Sequence, residues 1–239
     1  MRRGIVIVNP DLPQNIRSHL TAIGWDTVAV MHCRSVLETI AGHPDLQICC
    51  MDEDVVVHPH VQDSLLQVIE DNGYRVITGD SHLSPEYPAD VPYNAVLIKN
   101  HFFHNIAHTD PMLRRRAQNL GATFVHVNQG YTRCSVLQVS DDALITADKG
   151  IARQAEKHGL QALCIRQGHV ILPSMNTGFF GGTGGWDGAD SVFLCGMIDN
   201  HPDASDITKF ISDCHKQLIC LGQDQLTDYG SLLFLPLRR

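Results

Sequence analysis

The stretch QGYTRCSVLQVSDDALITADKG, residues 129–150, places Cys134 at the mouth of an apolar run that turns back on itself at Ser140-Asp141-Asp142. A free thiol is mostly protonated at neutral pH. A nucleophilic Cys134 therefore needs a base or a cationic substrate beside it to draw its pKa down. Buried in a strand, the same thiol is a small hydrophobe, and residue type alone leaves both uses open. The other cysteines form no C-x-x-C pairs, and Cys49, Cys50, Cys164, Cys195 and Cys220 lie inside apolar runs, which predicts reduced thiols and a cytoplasmic protein. Histidines cluster at His58 and His60 and at His101, His104 and His108, a pattern that raises zinc or nickel. They have no cysteine or carboxylate at tight spacing, so the expectation is no metal and no cofactor. The segment GGTGGWDG lacks the Gly-Lys-Ser/Thr ending of a phosphate loop and suggests close backbone approach instead.

The elements that must position these groups repeat along the chain. CSVLQV, the turn SDD, ALITA, a helix in KGIARQAEKHG and LQALCI read as strand, strand, helix, strand. Residues 46–79 repeat the order with LQICCM, DED, VVVHP, VQDSLLQVIEDNG and YRVIT. Residues 94–127 repeat it with NAVLIK, HFFHNI, DPMLRRRAQNLG and ATFVHV, Pro111 suiting the first helical turn. Each of these helices ends at a glycine, Gly73, Gly121 or Gly159, as a left-handed cap requires. A looser fourth copy runs from GFFGGTGG through SVFLCGMI and DASDITKFISDCHK, where Asp203 or Ser205 suits the N-cap, to QLICLG. The N-terminus supplies only GIVIVNP, LPQNIRSHLTAIG and TVAVM. The strand it lacks is left over as GSLLFLPL, residues 230–237, so pairing the two ends completes a fifth unit and closes a ring.

Bulk properties narrow the function classes. At 239 residues and 44% hydrophobic composition the chain can bury a substantial core. A net charge of -8, with short and scattered basic clusters, argues against nucleic acid as a partner. The opening apolar run is too short for a signal-peptide core, and no segment approaches a membrane span.

This five-unit α/β architecture resembles the pentein fold, the αβ propeller of guanidino-modifying enzymes such as arginine deiminases, amidinotransferases and dimethylarginine dimethylaminohydrolases, and of non-catalytic ribosome anti-association factors. The likeness covers nearly the whole chain and implies one pentein-like domain over residues 1–239. HPD, QGYTRCSV and GFFGGTGG also look like the motifs of an uncharacterised bacterial family of this fold. In a pentein the residues entering each unit's first strand face the pseudo-fivefold axis, where substrates bind. Here those entries are GHPD (42–45), VPYN (91–94), GYTRC (130–134), MNTG (175–178) and TDYG (227–230).

The resemblance implies a nucleophile at Cys134, a general acid/base at His43 two units earlier and a carboxylate at Asp228 one unit before that. Asp45, Asn94, Gln129 and Tyr131 are then expected to line the same cavity and bind substrate. The imidazole would depress the thiol pKa and later activate water to release a covalent thiouronium, and Asp228 would fix the histidine tautomer or hold the guanidinium. Each residue also has a plainer use: Cys134 as core, His43 before Pro44 opening a loop, and the carboxylates forming turns. One departure from the family pattern stands out. Guanidino-modifying members grip the cation with acids near a glycine segment, whereas NTGFFGGTGGWDG has no carboxylate before Asp187. The expected activity is a Cys-dependent hydrolase or transferase acting on a small nitrogenous substrate. The alternative is a non-catalytic pentein that binds a protein partner or a small ligand.

Overall fold

In the computed structural model, residues 3–238 are described; Met1, Arg2 and Arg239, which belong to the terminal basic clusters, lie outside them. Five three-stranded sheets are formed. They comprise β1 (Gly4–Val8) with β2 (Trp25–Ala29) and the C-terminal β15 (Leu233–Pro236); β3 (Ile48–Met51), β4 (Asp54–Val57) and β5 (Arg75–Thr78); and β6 (Val96–Ile98), β7 (His101–His104) and β8 (Thr123–His126). The remaining two are β9 (Val136–Gln138), β10 (Ala143–Thr146) and β11 (Gln161–Cys164), and β12 (Gly184–Trp186), β13 (Ser191–Met197) and β14 (Gln217–Gln225). In every sheet the middle strand is antiparallel to one neighbour and parallel to the other.

The two ends of the chain clasp as the leftover strand predicts, with Gly4 opposite Pro236 and Ile7 opposite Leu233 in an antiparallel pair. Asn72, at the end of α3 (Asp63–Asp71), ties β15 to the next unit by donating its Nδ2 to the Leu235 carbonyl at 2.8 Å. The middle strand β1 is buried along its whole length because both faces are covered, which is why it reads as GIVIV without alternation.

One helix bridges the second and third strands of each sheet: α1 (Gln14–Ala22), α3, α4 (Pro111–Asn119), α6 (Lys149–Lys157) and α7 (Ala204–Asp213). Each presses a pair four residues apart onto its sheet: Ile16/Leu20, Leu65/Ile69, Leu113/Ala117, Ile151/Ala155 and Ile207/Ile211. Gly73, Gly121 and Gly159 take the left-handed conformation after their helices, while α7 is followed by His215 in that region, a mark of the looser fourth copy. Asp203 stands at the N-cap of α7 but makes no side-chain cap bond; its carboxylate binds Arg166 instead.

The strand entries differ from the sequence reading in one systematic way. CSVLQV and LQICCM do not begin as strands, because a single helical turn precedes each: α5 (Thr132–Ser135) carries Cys134, and α2 (Pro44–Gln47) carries Asp45. In the fourth unit the equivalent turn is the 3-10 segment Gly181–Thr183 ahead of β12, so the entry lies at 181–183 and not at MNTG. These turns are stitched together around the axis. Asp45 N donates to Gly230 O, Arg133 N to Asn94 O, and Tyr229 N and Ser231 N both to Gly182 O. The tight turns free backbone groups at the ends of the inner strands, and neighbouring units satisfy them.

Candidate active site

Cys134 sits in α5 with its Sγ between two polar partners. The thiol donates to Asp45 Oδ2 at 3.2 Å and accepts from Asn94 Nδ2 at 3.1 Å. Asn94 locks this arrangement, since its Oδ1 accepts from the backbone N–H groups of Arg133 (2.8 Å) and Cys134 (3.2 Å), and its Nδ2 also donates to Asp45 O. Ser231, at the entry of β15, donates to Asp45 Oδ2 at 2.6 Å. The other oxygen, Asp45 Oδ1, is buried without a hydrogen-bond partner.

His43 precedes α2 and is held beside Asp228, Nδ1 to Oδ1 3.9 Å. A ring nitrogen of His43, the Cys134 sulfur and an Asp45 oxygen all lie within 4.8 Å of one another, about one water's bridging distance. Asp228 is seated by the backbone N–H of Phe179 on Oδ2 and of Gly230 on Oδ1, both at 2.9 Å. The carboxylate beside the glycine segment thus comes from the far end of the chain. A Cβ on Gly182 would overlap the Asp228 carboxylate, and one on Gly178 would come within 2.6 Å of its Cβ. Asp187, the first acid within that segment, accepts instead from Ala189 N and Ser191 N in its own turn.

His43, Cys134 and Asp228 open onto one cavity of about 190 Å3 whose walls are mostly apolar, including Leu46, Leu172, Met175 and Phe179. Tyr131 lines it, stacked on Phe179 with ring centroids 5.7 Å apart, its hydroxyl held by Asp90. Asp45 and Asn94 stand against the thiol rather than in the cavity wall. Gln129 departs from expectation: its side chain turns back to accept from Tyr131 N, and it lines a separate cavity of about 370 Å3 with Lys149, Arg166 and His169. The reason is local, because the turn that presents Tyr131 uses the Gln129 amide as its own acceptor. Ser231 was not anticipated; the signal for it is its place immediately after TDYG at the entry of the closing strand.

The electrostatics reverse one expectation. The Cys134 thiol is pushed well above its usual range by burial and then by the Asp45 and Asp228 charges, so the resting sulfur is protonated and not a thiolate primed by His43. Burial also raises Asp45, and it raises Asp228 to about 6 against the two backbone N–H groups that favour its charge. Burial lowers His43, with Asp45 opposing. Three acidic groups disfavoured in their charged forms meet a histidine disfavoured as a cation, which leaves the pocket short of positive charge.

His43, Asp45 and Cys134 are also a donor set that zinc accepts. A second group, His58, His60 and His82, gathers at the carboxyl ends of β4 and β5, where His82 joins the pair legible as HPH. The unprotonated ring nitrogen of His58 accepts a backbone N–H, from His60 at Nδ1 or Leu83 at Nε2, each 3.3 Å away, and burial followed by its two neighbours holds His58 near 4, a neutral structural imidazole. His104 is likewise engaged, by Thr109 and Gly130.

Five strand-strand-helix-strand units, closed into a ring around an axial cavity, make this a protein of the pentein fold. Solved structures of similar architecture include agmatine deiminase from C. jejuni with its substrate bound (TM-score 0.55, 8% identity, 99% of this chain and 95% of that one). They also include the inosamine-phosphate amidinotransferase of Streptomyces griseus (0.53, 9%, 100% and 94%) and DDAH from Pseudomonas aeruginosa complexed with citrulline (0.51, 9%, 92% and 92%). At these identities the likeness defines the fold. By sequence the chain belongs to a family of unknown function, DUF6873, whose model matches residues 7–233. No curated protein sequence matches it. Among the described residues no helix is long and apolar enough to cross a membrane.

Proposed function

We propose that the protein is a Cys-dependent hydrolase or transferase of a small guanidino or related amidino cation, with Cys134 as nucleophile, His43 as proton carrier and Asp45 and Asp228 as the cation's counter-charges. The observation that carries this reading is the charge deficit of the pocket: a protonated thiol beside buried acids, one with an unpartnered oxygen. A guanidinium entering there brings one positive charge to the two acids, and with that charge in place the thiol pKa falls. Activation then occurs only when substrate is bound.

The steps balance without a cofactor. The thiol proton leaves to Asp45 Oδ2, its hydrogen-bond acceptor, as sulfur bonds to the guanidinium carbon. The C–N bond breaks, ammonia or an amine departs with a proton delivered through His43, and a thiouronium on Cys134 remains. In a hydrolase, water deprotonated by His43 adds to that carbon and the thiolate leaves, giving a urea. In a transferase, an acceptor amine replaces water.

The second reading, a non-catalytic pentein that binds a small cation or a protein partner, is favoured by the same sealed and protonated sulfur if no adduct forms. The test is incubation with a panel of guanidino compounds, acid quench and intact mass measurement. A mass gain matching a thiouronium, absent in Cys134→Ser, supports the enzyme; an unchanged mass across the panel, with ligand-dependent thermal stabilisation, supports the binder.

A further inference from the structure

The chemistry of the cavity restricts what the cation can be attached to. We infer, resting on the guanidino reading above, that the substrate is an N-alkyl or N-aryl guanidine with a short apolar substituent and no carboxylate, rather than a guanidino amino acid. Four observations converge on this.

First, beyond the reacting groups the walls are Leu46, Leu172, Met175, Tyr131 and Phe179, with two threonines, Thr39 and Thr177, as further polar side chains. Second, no lysine or arginine lines the cavity among the described residues. The Arg133 guanidinium donates to Val136 O, and Arg166 is held by Asp203 in the neighbouring cavity. A substrate carboxylate would therefore be desolvated without a counter-charge, close to Asp228.

Third, the rim is apolar and open to solvent. Leu37 and Met175 line the cavity yet are 50% and 53% exposed, and Tyr87, 52% exposed, stands 6.2 Å from the Tyr131 ring. Exposed apolar side chains gathered at the lip of a cavity mark a ligand-binding surface. They would cover an alkyl chain or aryl ring projecting from the floor. Fourth, the stacked Tyr131 and Phe179 rings offer aromatic surface to a planar cation or to an aryl tail. At about 190 Å3 the cavity is small, below the roughly 300–1,000 Å3 of pockets for drug-sized ligands, so the substituent is short.

The experiment compares kcat/KM, by ammonia or amine release, for butylguanidine, phenylguanidine, agmatine and arginine with the full chain. Butylguanidine or phenylguanidine is expected to exceed arginine, whose carboxylate finds no counter-charge, and agmatine, whose second cation would leave water for apolar walls, by ~100-fold or more, the scale set by burying an unpaired charge. Met175→Arg, at an exposed position, should improve arginine at least ~10-fold relative to butylguanidine by supplying the missing counter-charge. Arginine or agmatine within tenfold of the alkyl compounds, or a Met175→Arg variant that leaves the ratio unmoved, overturns the inference and leaves the Cys134 mechanism standing. Failure of every compound to form a Cys134 adduct overturns the mechanism, and the inference falls with it.

Discussion

Replacing Gly182 by alanine should damage the protein through one side chain, Asp228. The added Cβ would overlap the Asp228 Oδ1 and Cγ and lie 2.8 Å from Oδ2, and the buried carboxylate is pinned on both sides by the N–H groups of Phe179 and Gly230. Relief requires the carboxylate to leave at least one of those donors. Overpacking costs about 1–3 kcal/mol, and losing a hydrogen bond to a charged group costs about 1.5–3 kcal/mol. Together these give a loss of roughly 2.5–6 kcal/mol, on the order of 10 °C in Tm for a chain of this length. Urea denaturation of Gly182→Ala, Asp228→Ala and the double variant measures it. Because Asp228→Ala removes the three atoms nearest the new Cβ, the substitution should be cheaper in that background by about 2 kcal/mol or more. A Gly182→Ala penalty under ~0.5 kcal/mol, or one equal in both backgrounds, would refute the claim that the glycine segment exists to seat this carboxylate.

The raised pKa of Asp228, about 6, makes its neutral form the one the fold prefers, so this stabilisation is full below about pH 4 and lost as pH rises through 6. The stability of the wild type relative to Asp228→Asn should accordingly fall by up to ~3 kcal/mol between pH 4 and pH 7, and a pH-independent difference in urea midpoints would contradict it. His43 carries the opposite sign, because burial lowers it: relative to His43→Gln, the wild type should lose stability as pH falls through 6.5. Asn94→Ala leaves the buried Cys134 backbone N–H without its acceptor, while the Arg133 N–H keeps the Asn94 carbonyl, and should cost about 1–3 kcal/mol by denaturation. Asn72→Ala removes the side-chain bonds that tie the closing strand β15 to the end of α3. It should cost about 1–2 kcal/mol and speed hydrogen exchange at the amides of residues 233–235, and unchanged exchange there would count against Asn72 as a stabiliser of the closing strand.

The ring was legible because each unit writes its own period. Apolar strands of four to six residues, an acidic turn, a helix with one i,i+4 pair and a glycine stop recur often enough that the orphan GSLLFLPL had only GIVIVN to pair with. What the period did not show is where the strands begin. Cys134 and Asp45 read as strand or loop by composition, yet each lies in a single helical turn whose hydrogen bonds come from neighbouring units, a tertiary effect with no local signature. The same limit placed the fourth entry at MNTG, six residues early. His43, Cys134 and Asp228 were reachable through the equivalence of strand entries. The protonation state was not, because it depends on how many buried acids share the pocket. Gln129 was misplaced because its side chain closes its own turn.

The central claim is that Cys134 is a nucleophile switched on by a bound cation. It is tested most directly by comparing two alkylating reagents of similar size, neutral iodoacetamide and cationic 2-chloroacetamidine, with labelling at each cysteine followed by peptide mass mapping at neutral pH. The neutral reagent should favour the exposed Cys164 and leave the buried Cys134 nearly untouched. The amidinium should reverse that order, modifying Cys134 first, with the reaction suppressed by competing butylguanidine and weakened in Asp45→Asn. If Cys134 shows no preference for the cationic reagent over that seen at Cys164, the pocket does not recruit a cation to its thiol and the proposed chemistry is wrong.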